Sequence, residues 1–408
     1  MNTSAADGTP VAATPAPESP AAPPSPPPPP ESPAATPSPE APAAPGPGRN
    51  RGAWALSWHG IRTVAVLELR QRVRSTKWIV ALVAWFILVG AITGLTFAAF
   101  HSDLTTGIES EQWIGRTIFG LVVFFVLFLG LLVSPTLSAT SINGDRAAGT
   151  LATLQVTALS AAEIVFGKLL ASWIAALAFL AVSVPFVLIA MSAGGTSAVA
   201  VLSTLALLAI ILAAVCAIGL GFSALTARTS ASAVLTYIVV ASLSVLSLIF
   251  FGLTVPAISA TDQVRVYDVP MDSVWDQGNT PQCAWRVQAM KQVHTERTWW
   301  LLAINPFVVV ADAMPEAGLG TPGDFVTNED PMSLIRRGVR EARTGPGYEQ
   351  NSCASITSSG PVQRALDRSP VWPWGLGANL LLGAIAVWFA VRRLRIPQLT
   401  VSRGTRVA

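Results

Sequence analysis

Six long apolar runs, separated by polar segments, dominate the pattern of this chain. Crossing a hydrocarbon core about 30 Å thick takes about 20 apolar residues in a helix, and each run is of that length. None of the six contains Asp, Glu, Lys, Arg or His. The pattern predicts an all-α polytopic membrane protein with six transmembrane helices, at residues 78–99, 117–139, 169–191, 199–223, 232–255 and 372–391.

Composition and charge give the predicted helices an orientation. The chain is 51% hydrophobic and 12% charged, with a mean hydropathy of +0.53, which excludes an ordinary soluble domain. Lys and Arg collect on one side of the runs: seven between residues 49 and 77, two in 141–168, one at Arg228 and five after residue 391. Loop 101–116 on the other side has three acidic residues and one Arg. Because basic loops remain in the cytoplasm, both termini are expected to be cytoplasmic.

The chain divides into four predicted parts. Residues 1–52 are rich in Pro and Ala and are expected to form a disordered cytoplasmic arm, either inert or a Pro-rich docking site. Residues 53–255 hold an interfacial helix and spans one to five. Residues 256–370 form a large extracytoplasmic segment, and residues 371–408 hold span six and a basic cytoplasmic tail.

The segment before the first span has the spacing of an amphipathic helix lying on the membrane surface. Arg62 and Arg72 interrupt its apolar side and are expected to extend toward the lipid head groups. A plain basic flank that sets topology is the alternative. The predicted apolar stripe consists of Trp58, Ile61, Ala65, Leu69 and Val73.

Two features stand out in the extracytoplasmic segment. The apolar stretch 299–311 is short and contains Pro306, so it is either a re-entrant or surface-lying hairpin or a helix buried in the segment's own core. Cys283 and Cys353 lie on the oxidising side, where they are expected either to form a disulfide or to remain free.

The sequence offers little catalytic chemistry. His59, His101 and His294 are far apart and lack a second ligand at metal spacing, so no metal site is expected. A phosphate-binding glycine loop is also missing from the sequence, and nothing predicts a nucleic-acid partner. Ion-coupled carriers keep an ionisable group at membrane depth, and the six apolar runs have none. We therefore expect no catalytic residue in this chain, and any transport would take its energy from elsewhere.

The polar segment 141–168, between spans two and three, carries the only four charges from Leu121 to Ala227. It resembles the signature loop of ABC-2 type transporter permeases, although Asp145, Ala158 and Ala161 replace the family's usual Glu, Pro and basic residue. The matching residues are Asp145, Arg146, Gly149, Thr150, Leu151, Leu154, Leu159, Ser160, Glu163, Ile164, Gly167 and Lys168.

The resemblance implies a permease subunit of the bacterial plasma membrane that exports its solute. Such permeases pair as homodimers or heterodimers and bind cytoplasmic ATP-binding subunits, which hold the ATP and Mg²⁺. The loop after span two then acts as a coupling helix. A membrane enzyme, and a signalling or assembly protein with an extracytoplasmic sensing domain, are the alternative functions.

The residues of the loop suggest how it is built. Ser141 and Asp145 are candidates to cap a short helix, and Gly149 with Thr150 to start another. Leu151 and Leu154 would present apolar side chains to a partner. A loop that merely joins two helices is the alternative. Glu163 and Lys168 are five residues apart, which is a poor spacing for an ion pair within the helix, and contacts with a partner or with lipid head groups are the alternatives.

Overall fold

The computed structural model describes residues 54–100, 111–149, 159–194, 196–269, 283–314, 330–351, 353 and 369–394. The predicted arm 1–52, loop residues Thr150, Leu151 and Leu154, and the tail from residue 395 lie outside the described residues. The described part is mostly helical. Its helices are α1 (Trp58–Val73), α2 (Thr76–Ala99), α3 (Glu111–Ser138), α4 (Ser141–Ala147), α5 (Ala161–Ser192), α6 (Ala198–Leu225), α7 (Thr229–Ala241), α8 (Ser247–Thr254), α9 (Trp300–Ala303), α10 (Pro306–Ala313), α11 (Pro331–Thr344) and α12 (Trp372–Leu394).

Within these residues six helical stretches are long and apolar enough to cross a membrane, which confirms the predicted class. They are α2, α3, α5, α6, α12 and a fifth span in which a π-helical turn (Ser242–Leu246) joins α7 to α8. Several helices run past the apolar residues into charged flanks. For example, α5 begins at Ala161 and includes Glu163 and Lys168, because caps and backbone hydrogen bonds set its start.

Helix α6 lies at the centre of the bundle, and α12 packs closely against it. A Cβ atom added to Gly221 would lie 2.6 Å from the Cβ of Ala386, so the two backbones approach as only small residues allow. Helix α2, in contrast, lies at the periphery. Its large apolar side chains Ile79, Val83 and Ile87 are exposed and would face lipid or another chain.

Three strands form a sheet between spans five and six, an addition to the predicted all-helical fold. They are β1 (Ser259–Asp268), β2 (Ala284–Val293) and β3 (Glu349–Asn351), in the order β2-β1-β3. β1 pairs antiparallel with β2 and parallel with β3. Cys283 and Cys353 form a disulfide with their Cα atoms 6.4 Å apart, which links the start of β2 to the residues after β3.

The apolar stretch 299–311 forms the α9–α10 hairpin, which packs against the membrane bundle. Val309 and Val310 of α10 are buried in one core with side chains of α3, α6 and α7. Asn305 Nδ2 donates to the Ser244 carbonyl in the π-helical turn at 2.7 Å. Asp312 accepts from the backbone N–H of Trp372 at 2.8 Å, so α10 also holds the start of α12.

Candidate functional site

The described parts of the predicted signature loop, residues 141–149 and 159–168, lie at one end of the bundle together with α1. We call this the α1 end; it also contains α4, the starts of α5 and α7, and the ends of α6 and α12. The antiparallel order of the spans places the three-stranded sheet at the opposite end.

Lys168 joins three helices at the α1 end. Its side chain is buried, with 1% of the residue exposed. Its Nζ atom contacts the carboxylate of Glu68 on α1 and lies 2.5 Å from Asp145 Oδ2 on α4. A buried ammonium group is strongly unfavourable unless it is paired, so these two carboxylates hold α1 and α4 against α5. We call Glu68, Asp145 and Lys168 the charge cluster.

Glu163 connects the starts of two helices. At the start of α5 it forms a capping box with Ser160: Glu163 Oε2 accepts from Ser160 N–H at 2.8 Å, and Ser160 Oγ accepts from Glu163 N–H at 3.1 Å. Its other oxygen, Oε1, accepts from the N–H of Ser57, the N-cap of α1, at 2.8 Å. A carboxylate is favoured at helix N-termini, and here one buried carboxylate stabilises two of them.

Replacing Glu163 with glutamine should therefore destabilise the protein by about 1–2 kcal/mol. An amide has one acceptor oxygen, so either the Ser57 or the Ser160 N–H would face an NH₂ group. The free energy of unfolding of the purified chain in detergent measures the effect. The exposed Glu341→Gln provides the control and should change it by less than about 0.5 kcal/mol; equal effects would contradict the shared-cap role.

Close packing of α1 on α5 depends on two glycines. A Cβ atom at Gly167 would lie 2.6 Å from Val64 Cβ, and one at Gly60 would lie 2.8 Å from Glu163 Cδ. Val64 is buried, whereas Trp58 of the predicted apolar stripe is 70% exposed. The helix exists as predicted, but small residues that fit α5 determine its buried face.

Arg72 was expected to extend toward the head groups, and this prediction is wrong. Its guanidinium enters the bundle, where Nη2 donates to the Leu137 carbonyl at 2.8 Å and to Ser172 Oγ at 3.4 Å. Burial lowers the pKa of Arg72, while the nearby charge of Glu68 raises it. A buried guanidinium can satisfy several acceptors at once, which explains its inward direction.

Helix α4 is held by a partner that sequence reasoning missed. The predicted caps Ser141 and Asp145 do not cap it; instead, the N–H groups of Ile142 and Asn143 donate to Ser223 Oγ on α6 at 2.9 and 3.1 Å. Asn143 Oδ1 in turn accepts from Ser223 Oγ at 3.1 Å. No local signal reveals this contact, because the partners are 80 residues apart.

The far end of α4 is exposed. Gly149 has a φ of 73°, a left-handed conformation that favours glycine and commonly ends helices. Arg146, Ala147, Ala148 and Gly149 are all exposed. They present a small surface of short side chains with one basic residue, beside the tightly held charge cluster.

Glu68 and Ser57 were also missed as members of the site. Glu68 is the one acidic residue in segment 49–77, which has seven basic residues. This isolation was the feature of the sequence that could have identified Glu68 as part of the site. No group of side chains suited to a metal ion occurs in the described part of the chain.

The chain matches a known family of membrane transport proteins. The family model described as ABC-2 family transporter protein matches residues 62–321, which covers most of α1, the first five spans, the polar loop and the α9–α10 hairpin. No curated protein matches the chain at a level that indicates a relationship. The family match spans more than half of the 408 residues. The chain therefore belongs to the ABC-2 family of transporter proteins.

Proposed function

We propose that this chain is the permease subunit of an ATP-driven exporter in the bacterial plasma membrane. Membership of the family makes it a membrane component of an ABC transporter, distinct from the ATPase. In our proposal a cytoplasmic partner subunit binds ATP and Mg²⁺, and two permease chains, identical or different, pair in the membrane. The α1 end and both termini then face the cytoplasm.

The charge cluster is the observation that carries this proposal. Lys168 ties α4 to α1 and α5, and Ser223 ties the start of α4 to α6. A partner that pushes on the exposed end of α4 would therefore move these helices together. Packed helices with paired buried charges deform little, so a displacement of α4 would reach two transmembrane spans directly.

The exposed surface of α4 is the natural contact for the ATP-binding subunit. We expect Arg146→Glu to lower the amount of co-expressed ATP-binding subunit that purifies with the chain by about tenfold, equivalent to about 1.4 kcal/mol. Arg228→Glu is the matched control. It makes the same charge change on an exposed residue of the α6–α7 turn at the same end, and should change recovery less than about twofold.

Two results would contradict this role. Equal loss with Arg146→Glu and Arg228→Glu would indicate a general charge effect instead of a contact at α4. A chain that purifies as an intact assembly without any ATP-binding subunit would favour the signalling or assembly alternative. The melting temperature of each variant shows whether the membrane helices remain folded.

A further inference from the structure

A groove of about 660 Å³ runs between α2 and α3, starting at the α1 end. Its α2 side is one helical face, made by residues at spacings of three and four. The described residues that line it include no acidic residue. The α2 residues on this face are Lys77, Trp78, Ala81, Ala84, Trp85 and Leu88.

The end of the groove nearest α1 is basic and hydroxyl-rich. Arg72 and Lys77 line it together with Ser75, Thr136 and Thr140. The Nη1 atom of Arg72 is buried and lacks a hydrogen-bond acceptor among the described residues. Buried donors are normally satisfied, so this end suits an anionic group with several acceptor oxygens.

Glu68 offsets only part of the positive charge at this end of the groove. Its charge acts on Arg72, but its carboxylate contacts Lys168, and it does not line the groove. Among the described residues, therefore, no lining carboxylate opposes Lys77.

The remainder of the groove is apolar, with Leu129 and Val133 of α3 facing α2. From Lys77 to Leu88 the groove follows eleven residues of helix, or about 16 Å at about 1.5 Å per residue. This is half the thickness of a hydrocarbon core of about 30 Å. A basic end joined to an apolar channel of this length matches one lipid of one leaflet.

We propose that the groove binds a phospholipid with an acidic head group from the leaflet at the α1 end. Its phosphate lies against Arg72 and Lys77, and an acyl chain follows α2 between Ala84 and Leu129. A zwitterionic lipid would bring its own cation to the basic end, so the site prefers a net negative head group. Basic residues at the membrane surface attract acidic lipids for the same reason.

Native mass spectrometry of the full chain in mild detergent, with equal amounts of phosphatidylglycerol and phosphatidylcholine, tests this proposal. The wild type should retain phosphatidylglycerol about tenfold better. Lys77→Gln should reduce that preference about fivefold. Arg74→Gln, an exposed residue near the same helix end that does not line the groove, should leave it unchanged.

Filling the groove provides a second, charge-independent variant. Ala84→Phe should lower the retention of both lipids while the melting temperature stays within a few degrees of the wild type; if it does not fold, Lys77→Gln decides alone. Equal retention of the two lipids by the wild type, or equal effects of Lys77→Gln and Arg74→Gln, would overturn the proposal. So would an Ala84→Phe variant that changes the mass of the oligomer and not lipid retention, because the groove would then hold a second copy of the chain.

Discussion

Lys168→Met is expected to destabilise the protein by about 3 kcal/mol, the largest effect among single changes at the charge cluster. The substitution removes the buried cation and leaves Glu68 and Asp145 facing each other without it. Their side chains are 14% and 29% exposed, so water offsets part of the penalty. Reversible unfolding of the purified chain in mixed detergent measures the change in free energy.

Two further variants separate the loss of charge pairing from a loss of packing. Glu68→Gln and Asp145→Asn, combined with Lys168→Met, remove the whole cluster and should recover more than half of the lost stability. Lys291→Met changes an exposed lysine and should have an effect below about 0.5 kcal/mol. A Lys168→Met protein as stable as Lys291→Met would show that the cluster does not hold these helices together.

Gly167→Leu is expected to separate α1 from α5 and to cost about 3 kcal/mol, the upper part of the usual range for overpacking. A side chain at this position would meet Val64 and also the backbone carbonyl of Ile61, 3.0 Å from the added Cβ. A backbone carbonyl cannot relieve the clash by changing rotamer, as a side chain can. Limited trypsin digestion, with cleavage after Arg62 and Arg70 quantified, detects release of α1.

Matched substitutions make this test specific. Gly94→Leu places the same side chain in a transmembrane helix where nothing lies within 4 Å of the added Cβ, and should leave cleavage unchanged. Val64→Gly combined with Gly167→Leu removes the Val64 side chain that the added Cβ would meet first and should restore part of the protection. If the digestion pattern of Gly167→Leu equals that of Gly94→Leu, α1 is held by other contacts.

Sequence patterns predict the spans of this protein well because a bilayer demands about 20 apolar residues whatever their partners. They predict the ends of helices poorly, since a cap such as Ser160 with Glu163 can start α5 well before its apolar run. The strands were missed for a different reason. In β1 only Val264 and Val266 are buried, at alternate positions. The strand therefore depends on its pairing with β2, which the sequence pattern does not show.

The candidate site was likewise predicted only in part. The polar loop was identified from its charges and its resemblance to the loop of the family, whereas its contacts with other helices were not predicted. Lys168 pairs with Glu68 from 100 residues away, a distance over which helical periodicity carries no information. Arg72 was predicted to reach the head groups because sequence shows its charge, and it does not show the Leu137 carbonyl that accepts from it.

The carboxylate of Glu163 has a consequence for how this protein can change over generations. Because it serves both Ser57 and Ser160, its loss would require new caps for two separate helices in the same step. Substitutions near either partner should also show non-additive effects when combined. Substitutions in the first helix and in the third span are thus expected to be correlated in evolution, although about a hundred residues separate the two along the chain.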